Sequence, residues 1–321
     1  MKSKVSFKKV VLVPGYQCNN HCVFCINRDK RDLPAKNTAE VLKEMKEASQ
    51  RGCDYAEFAG GENAIRPDFP LLVKSAGTMG YKRVAVATNG RMFSYPGFAE
   101  KISENGLTDI IFSIHGHTPE LHDRMTGVEG SFAQMLEGVR NMLRVFRGTV
   151  ATNTAVTKIN YRYLPEIGRF IAGHFGFTNS EFIFADPSQG GVKDSFDKLM
   201  PKISEAAPYM RKTLDLAAEK IKAEPEERKL LYNWGVRYVP VCYFQDYFPY
   251  QISEIREKII YTNVQHITPD YINLNYIKGR QEISRVRPEK CRACRYYESC
   301  EGIWKEYVKH FGDGELTPVK G

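Results

Sequence analysis

Short apolar runs alternate with longer amphipathic stretches through the first two thirds of the chain. The short runs are rich in β-branched and aromatic residues, and they predict six strands, at residues 10–13, 55–58, 83–87, 109–114, 149–156 and 181–184. Between them the apolar positions recur every three or four residues, which predicts helices at about 38–51, 68–79, 95–105, 131–146 and 163–174. Six successive strand–helix units favour an α/β fold, a partial (β/α)6 barrel of the TIM type with parallel strands.

The alternation ends after residue 184, where a loop rich in Pro, Ser and Gly runs from Asp186 to Gly191. Such a loop is typical of a boundary. We therefore predict a barrel domain over residues 1–185 and a small cysteine-rich C-terminal domain over residues 186–321. The pattern predicts a helix at about 201–224 near the start of this second domain.

Composition and charge narrow the class of protein. The 321 residues are 42% hydrophobic and 26% charged, as in an ordinary globular protein. No apolar run approaches the ~18 residues of a membrane helix or the ~7 to 15 of a signal-peptide core, so we expect a soluble, cytoplasmic protein with no membrane partner. The formal net charge is +8, but Lys and Arg are scattered among acidic residues, which disfavours a nucleic-acid partner.

The eight cysteines fall into two groups and two single positions, Cys53 and Cys242. Without a secretory signal, closely spaced cysteines favour metal binding or catalysis over disulfides. The first group, Cys18, Cys22 and Cys25, follows the first predicted strand with CxxxCxxC spacing. Three thiolates suit a 4Fe–4S cluster with one iron left open, whereas zinc, the alternative, usually takes four ligands arranged as CxxC pairs.

Three further motifs follow predicted strands: GGEN at 60–63, TNG at 88–90 and SIHG at 113–116. The carboxyl ends of parallel barrel strands meet at one mouth, so we expect these motifs to lie around the first cysteine group. Gly60 and Gly61 allow the backbone to approach a ligand closely, and Glu62 suits an ammonium group.

With these motifs, the chain from residue 10 to about 184 resembles the radical S-adenosylmethionine (radical SAM) superfamily. The resemblance implies that the first cysteine group holds a 4Fe–4S cluster whose fourth iron is chelated by SAM. It implies that SAM is cleaved reductively to a 5′-deoxyadenosyl radical, so that initiation needs no catalytic residue beyond the cofactor radical. The implied SAM-binding residues are Phe24, Gly60, Gly61, Glu62, Ser113 and Asn153, with Asn89 as a weaker candidate. His115 stands where many peptide-modifying members have aspartate.

The second cysteine group resembles the auxiliary-cluster domains called SPASM and twitch, in a shortened form. Cys291, Cys294 and Cys300 give a CxxC…C spacing, and Cys242 is the fourth cysteine of the tail. The resemblance implies an auxiliary 4Fe–4S cluster held by these four, and a structural zinc ribbon is the alternative. A cluster with four thiolate ligands has no open iron, which favours electron transfer over substrate binding. Cys53 is predicted to be a buried apolar residue.

These features predict a radical SAM enzyme of the oxidoreductase or maturase type that modifies a peptide or protein side chain. The first alternative is a radical SAM enzyme that acts on a small metabolite or cofactor precursor. An alternative of another class is a non-catalytic zinc- or RNA-binding protein. The expected partners are SAM, an electron donor such as a flavodoxin or ferredoxin, and the peptide or small-molecule substrate.

Overall fold

The structure, a computed structural model, describes residues 6–176, 179–229 and 233–321. Within these ranges, nine strands form one sheet, and a separate antiparallel pair lies in the tail. The strands of the sheet are β1 Phe7–Leu12, β2 Tyr55–Phe58, β3 Arg83–Thr88, β4 Asp109–Ser113, β5 Thr149–Val156, β6 Asn179–Phe184, β7 Trp234–Arg237, β8 Tyr261–Ile267 and β9 Ile272–Asn273. The separate pair is β10 Arg285–Val286 and β11 Ile303–Trp304.

Helices follow most strands of the first half and make up much of the tail. Those up to residue 185 are α1 Thr38–Gln50, α2 Phe69–Thr78, α3 Phe98–Glu104, α4 Pro119–Thr126, α5 Ser131–Val145 and α6 Leu164–Phe175. Those of the tail are α7 Gly190–Asp194, α8 Phe196–Leu199, α9 Ile203–Asp215, α10 Ala218–Ala223, α11 Glu226–Lys229, α12 Ser253–Ile260, α13 Tyr276–Ile283 and α14 Lys305–Phe311. Among the described residues, no helix is long and apolar enough to span a membrane.

The predicted fold class is confirmed. All six predicted strands form, and they lie side by side in chain order as β1 to β6, every pair parallel. The five predicted helices are α1, α2, α3, α5 and α6, and α4 is an additional short helix after β4. The predicted helix at 201–224 is divided into α9 and α10 by a turn at Leu216 and Ala217. The parallel strands carry the motif-bearing loops to one end of the sheet.

Three strands of the tail, β7, β8 and β9, extend the sheet beyond the six predicted, and β9 pairs with β8 antiparallel. In the sheet, β7 pairs with β6 at one end, and β8 pairs with β1 at the other, both in parallel. Helix α12 packs against both β7 and β8, so it spans the opening between them. Strands from both sides of residue 185 therefore share one sheet, and the division of the chain into two domains at that residue stays a prediction.

Candidate functional site

The first cysteine group lies in the irregular segment between β1 and α1, at the carboxyl end of the sheet. Cys18, Cys22 and Cys25 line a cavity of about 470 Å³. Burial raises the pKa of the Cys22 thiol, and the nearby Cys18 and Cys25 raise it further. Because its surroundings disfavour the Cys22 thiolate, this position suits a nearby cationic group, and bound iron would stabilise the thiolate.

The three cysteines of this group supply sulfur ligands only, which both zinc and iron–sulfur clusters accept. A zinc site would need its sulfurs about 2.3 Å from one point. In a 4Fe–4S cluster each thiolate binds a different iron, so the ligands stand further apart. The cysteine-only donor set therefore fits the cluster that the sequence implied.

Backbone hydrogen bonds hold the cysteine loop from two sides. On one side, the amides of His21 and Val23 donate to Thr126 and Met125 at the end of α4 (2.8 and 3.0 Å). On the other, the amide of Gly191 donates to the carbonyl of Cys25 (3.0 Å). The loop is thus fixed by neighbouring elements before any ligand binds.

Gly60 and Gly61 pack against the segment that leads into Cys18. Gly60 has a φ of +103°, and a Cβ there would lie 2.3 Å from Val13 Cγ1. A Cβ on Gly61 would lie 2.2 Å from the carbonyl of Gln17. Packing within the protein therefore requires glycine at both positions. The sequence suggested a further reason, the close approach of the backbone to a ligand.

Glu62 is almost completely buried, and most of its acceptor capacity is used. Its Oε1 accepts hydrogen bonds from the Ala64 amide (3.0 Å) and Thr88 Oγ1 (2.9 Å), and its Oε2 accepts from the Asn89 amide (2.7 Å). Burial raises the pKa of Glu62, while these donors oppose that shift. Oε2 retains an acceptor position for an ammonium group, so the predicted role remains compatible with the structure.

The other predicted SAM-binding residues line the same cavity. Ser113 and Asn153 are direct neighbours in the register of β4 and β5. Phe24 makes an edge contact with His115 (4.7 Å between ring centroids). Asn89 also lines the cavity. The structure therefore brings all seven candidates to the cysteine loop, and their individual roles stay predictions.

The histidines after β4 separate into lining and packing residues. His115 lines the cavity, and its Nδ1 accepts from the Ala155 amide (3.2 Å). His122 is buried behind it, where its Nδ1 accepts from the His115 amide (3.3 Å). Burial lowers the pKa of both, that of His122 to about 4. Both imidazoles are therefore neutral at physiological pH.

The four cysteines of the tail meet in one small apolar cavity. Burial raises the pKa of Cys242 to about 11, and Cys300, Cys291 and Cys294 add to the rise. Backbone amides of Val241 and Gly302 donate to Cys300 Sγ (3.5 and 3.2 Å). The structure thus joins Cys242 to the distant CxxC…C group.

Two cavity-lining residues, Asp186 and Tyr238, were missed in the sequence. Asp186 lies two residues after the end of β6. Its Oδ1 accepts from the amide and hydroxyl of Ser188 (2.8 and 2.6 Å), and burial raises its pKa. Its position after a strand is the same signal that marks the other motifs, but the Gly-rich sequence suggested a boundary. Tyr238 follows β7 with a left-handed φ of 65°, on a strand that the pattern did not predict.

Comparison with protein families gives one match, to the radical SAM superfamily over residues 12–171. Among curated proteins, the mycofactocin maturase MftC of Mycobacterium tuberculosis is 28% identical over 167 residues, which cover 51% of this chain and 41% of that protein. A probable GTP 3',8-cyclase of Saccharolobus islandicus is 30% identical over 155 residues, 48% of each chain. The chain thus spans less than half the length of these relatives.

Solved structures resemble almost the whole chain. Streptococcus suis SuiB bound to S-adenosylmethionine has a TM-score of 0.64 at 18% identity, over 96% of this chain and 76% of that one. The anSMEcpe structure with bound AdoMet has a TM-score of 0.61 at 14% identity, over 97% and 93%. At these identities the likeness shows the shared fold.

Proposed function

Because the chain belongs to the radical SAM superfamily through its domain at residues 12–171, we propose that it cleaves SAM reductively and oxidises a peptide or protein side chain. The proposed oxidation of the substrate is supported by one observation: four cysteines of the tail line a single cavity, namely Cys242, Cys291, Cys294 and Cys300. Membership in the family disfavours the alternative of a non-catalytic zinc- or RNA-binding protein.

In this proposal Cys18, Cys22 and Cys25 hold the SAM-binding cluster. Reduced and bound to SAM, that cluster supplies the electron whose transfer gives a 5′-deoxyadenosyl radical for hydrogen abstraction. The protein would bind and orient the cofactor. Gly60, Gly61 and Glu62 would hold its ammonium group, Ser113 and Asn153 would contact its ribose, and Phe24 would lie near its adenine.

The four tail thiolates would hold a second 4Fe–4S cluster with no open iron. Such a cluster binds no substrate directly and is suited to accept an electron from a substrate radical. Tyr238 lines the SAM cavity and makes an edge contact with Trp304 (4.7 Å between centroids), and three residues later Val241 donates its amide to Cys300 Sγ. The tail cysteines are therefore connected to the reaction cavity by a short stretch of packed chain.

Two of the similar proteins support a peptide substrate. MftC is named as a maturase, and a second SuiB structure, with a TM-score of 0.64 at 17% identity, is bound to a precursor peptide. An electron donor of the flavodoxin or ferredoxin type and a cytoplasmic location complete the proposal.

A small anionic metabolite is the second candidate substrate. The relative named as a probable GTP 3',8-cyclase is as similar in sequence as the maturase, and the net charge of +8 suits an anionic ligand. Incubation of the reconstituted enzyme with GTP and, separately, with short synthetic peptides distinguishes the two candidates by which probe increases 5′-deoxyadenosine formation.

Iron and sulfide counting after anaerobic reconstitution tests the two clusters. We expect about eight irons per chain in the wild type and about four when Cys18, Cys22 and Cys25 are all replaced by alanine. That triple variant should form no 5′-deoxyadenosine from SAM and dithionite. Replacement of the four tail cysteines should also leave about four irons, but with SAM cleavage retained.

Cys53→Ala is the matched control, because Cys53 is a buried cysteine of the hydrophobic core. It should keep the wild-type iron content. Persistent SAM cleavage in the triple variant would show that the catalytic assignment is wrong, and zinc in place of iron at the tail cysteines would remove the basis for the oxidative step.

A further inference from the structure

Arg91 connects three elements at the edge of the cysteine loop. It follows the TNG turn after β3, and its guanidinium group reaches back to the loop. Its Nη1 donates to the side-chain Oδ1 of Asn20 (2.9 Å) and to the carbonyl of Asn19. Its Nε donates to Gln134 Oε1 on α5 (2.6 Å). The residue thus fixes the spacer between Cys18 and Cys22 to the barrel.

Asn19 and Asn20, which Arg91 holds, position the hydrogen-bond donors around the sulfur of Cys18. The amide of Asn20, a residue that is only 2% exposed, donates to Cys18 Sγ (3.4 Å). The side-chain Nδ2 of Asn89 donates to Asn19 Oδ1 (2.7 Å) and lies 3.8 Å from the same sulfur. Two N–H groups therefore face Cys18 Sγ, and both depend on the position of the Asn19–Asn20 segment.

The positive charge of Arg91 also acts within the site. It is among the groups that lower the pKa of the buried Glu62 carboxyl, next to the predicted SAM-binding glycines. Reduction of a 4Fe–4S cluster adds one negative charge to it. Nearby positive charge and hydrogen bonds to the cysteine sulfurs stabilise the reduced form, and they are among the main determinants of cluster potential.

We propose that Arg91 is a positioning residue that raises the reduction potential of the cluster held by Cys18, Cys22 and Cys25. It does so by holding the N–H donors against Cys18 Sγ and by contributing a positive charge. The step it favours is the uptake of one electron from the external flavodoxin- or ferredoxin-type donor, in which no bond forms or breaks. The inference rests on the proposed SAM-binding cluster, and it is independent of the substrate.

Two substitutions separate the contributions of geometry and charge. Arg91→Gln removes the charge and cannot reach both Asn20 and Gln134. Arg91→Lys keeps the charge, but its single ammonium group cannot reproduce the forked contacts of the guanidinium. Arg140→Gln is the matched control, since Arg140 lies on the exposed face of α5 and pairs only with Glu137 (3.3 Å) among the described residues.

The experiment is a redox titration of the reconstituted full chain, followed by electron paramagnetic resonance without substrate. The signal of the SAM-binding cluster is identified by its change when SAM is added. At the potential where the wild-type cluster is half reduced, we expect Arg91→Gln to lower the ratio of reduced to oxidised cluster about tenfold, equivalent to about 59 mV for one electron. Arg91→Lys should cause a smaller decrease, and Arg140→Gln none.

Two results would overturn the inference. The first is a wild-type potential in Arg91→Gln at full iron content. The second is loss of the SAM-binding cluster in both Arg91→Gln and Arg91→Lys, which would assign Arg91 to assembly of the loop. Failure of the proposed function has a different signature, because it would leave the wild-type chain without a SAM-sensitive cluster signal or without a modified peptide.

Discussion

At the scale of single residues, the buried His122 makes the stability of the folded protein depend on pH. Its imidazole is 1% exposed, and its Nδ1 must be unprotonated to accept the His115 amide. Burial lowers its pKa from 6.5 to about 4, although Asp123 opposes the shift. The unfolded chain therefore binds a proton at higher pH than the folded chain does. The stability from neutral His122 is complete above about pH 6.5 and is lost as pH falls towards about 4.

Substitution of His122 by Asn should flatten this pH dependence. The amide Oδ1 of asparagine can replace the Nδ1 acceptor but does not titrate. We expect the free energy of unfolding in urea to fall less between about pH 7 and about pH 5 in His122→Asn than in the wild type. His174→Asn, at an exposed position on α6, should keep the wild-type slope. Equal slopes in all three proteins would contradict the prediction.

At the scale of elements, the loop from Asp186 to Gly191 is part of the site. The glycines that suggested a domain boundary are needed because α7 starts against the cysteine loop. A Cβ on Gly190 would lie 2.3 Å from the carbonyl of Cys25, and one on Gly191 would lie 2.0 Å from the carbonyl of Val23. The sequence showed that these two positions are glycines. The reason is the backbone of the cysteine loop, which packs against them and lies far away in the sequence.

Gly191→Ala should therefore disturb the cysteine loop from a distance in sequence. The added methyl group forces backbone apart, at an expected cost of about 1–3 kcal/mol in the free energy of unfolding. We expect a lower iron content per chain and a lower melting temperature. Gly173→Ala is the control, because no atom lies within 4 Å of a Cβ there, and helix α6 should gain up to about 1 kcal/mol. Full iron loading of Gly191→Ala would contradict the prediction.

At the scale of the whole molecule, buried ion pairs join the barrel interior to the tail cysteines. Arg237 on β7 contacts Glu181 on β6 (2.8 Å) and Glu257 on α12 (3.4 Å). Arg280 on α13 contacts the same Glu257 (3.0 Å) and Glu301 (2.9 Å), which precedes β11 and follows Cys300 directly. Burial alone would raise the pKa of Glu257, but Arg237 and Arg280 lower it to about 2.

Removal of Arg280 should weaken this connection. Arg280→Met leaves the buried carboxylates of Glu257 and Glu301 with less positive charge beside them. Breaking a buried ion pair in this way lowers the free energy of unfolding by about 3–5 kcal/mol. We expect that loss in urea unfolding, together with selective loss of iron from the tail cysteines. Lys278→Met removes an exposed pair with Glu282 and should cost less than about 1 kcal/mol. A similar small effect of both substitutions would show that the network contributes little.

Much of this fold was predictable from the local pattern of the sequence. The six strands and the five helices between them were predictable because each carries its own apolar period. The cysteine loop and the GGEN motif were recognisable because their residues are adjacent in sequence, and placement after parallel strands predicts a common mouth. The sequence alone thus determined the fold class, the family resemblance and the cavity residues from Phe24 to Asn153.

Other features depend on contacts between distant segments. Strands β7 and β8 lie in the tail, where the regular alternation of strands and helices has ended, and only the tertiary structure shows that they extend the barrel sheet. Cys242 joins Cys291, Cys294 and Cys300, and Arg91 reaches Asn19 and Asn20, because packing brings these segments together. The sequence by itself determined which elements and cofactor motifs form, since these are local. Tertiary structure decided which distant side chains surround each cysteine group, since only packing sets those distances.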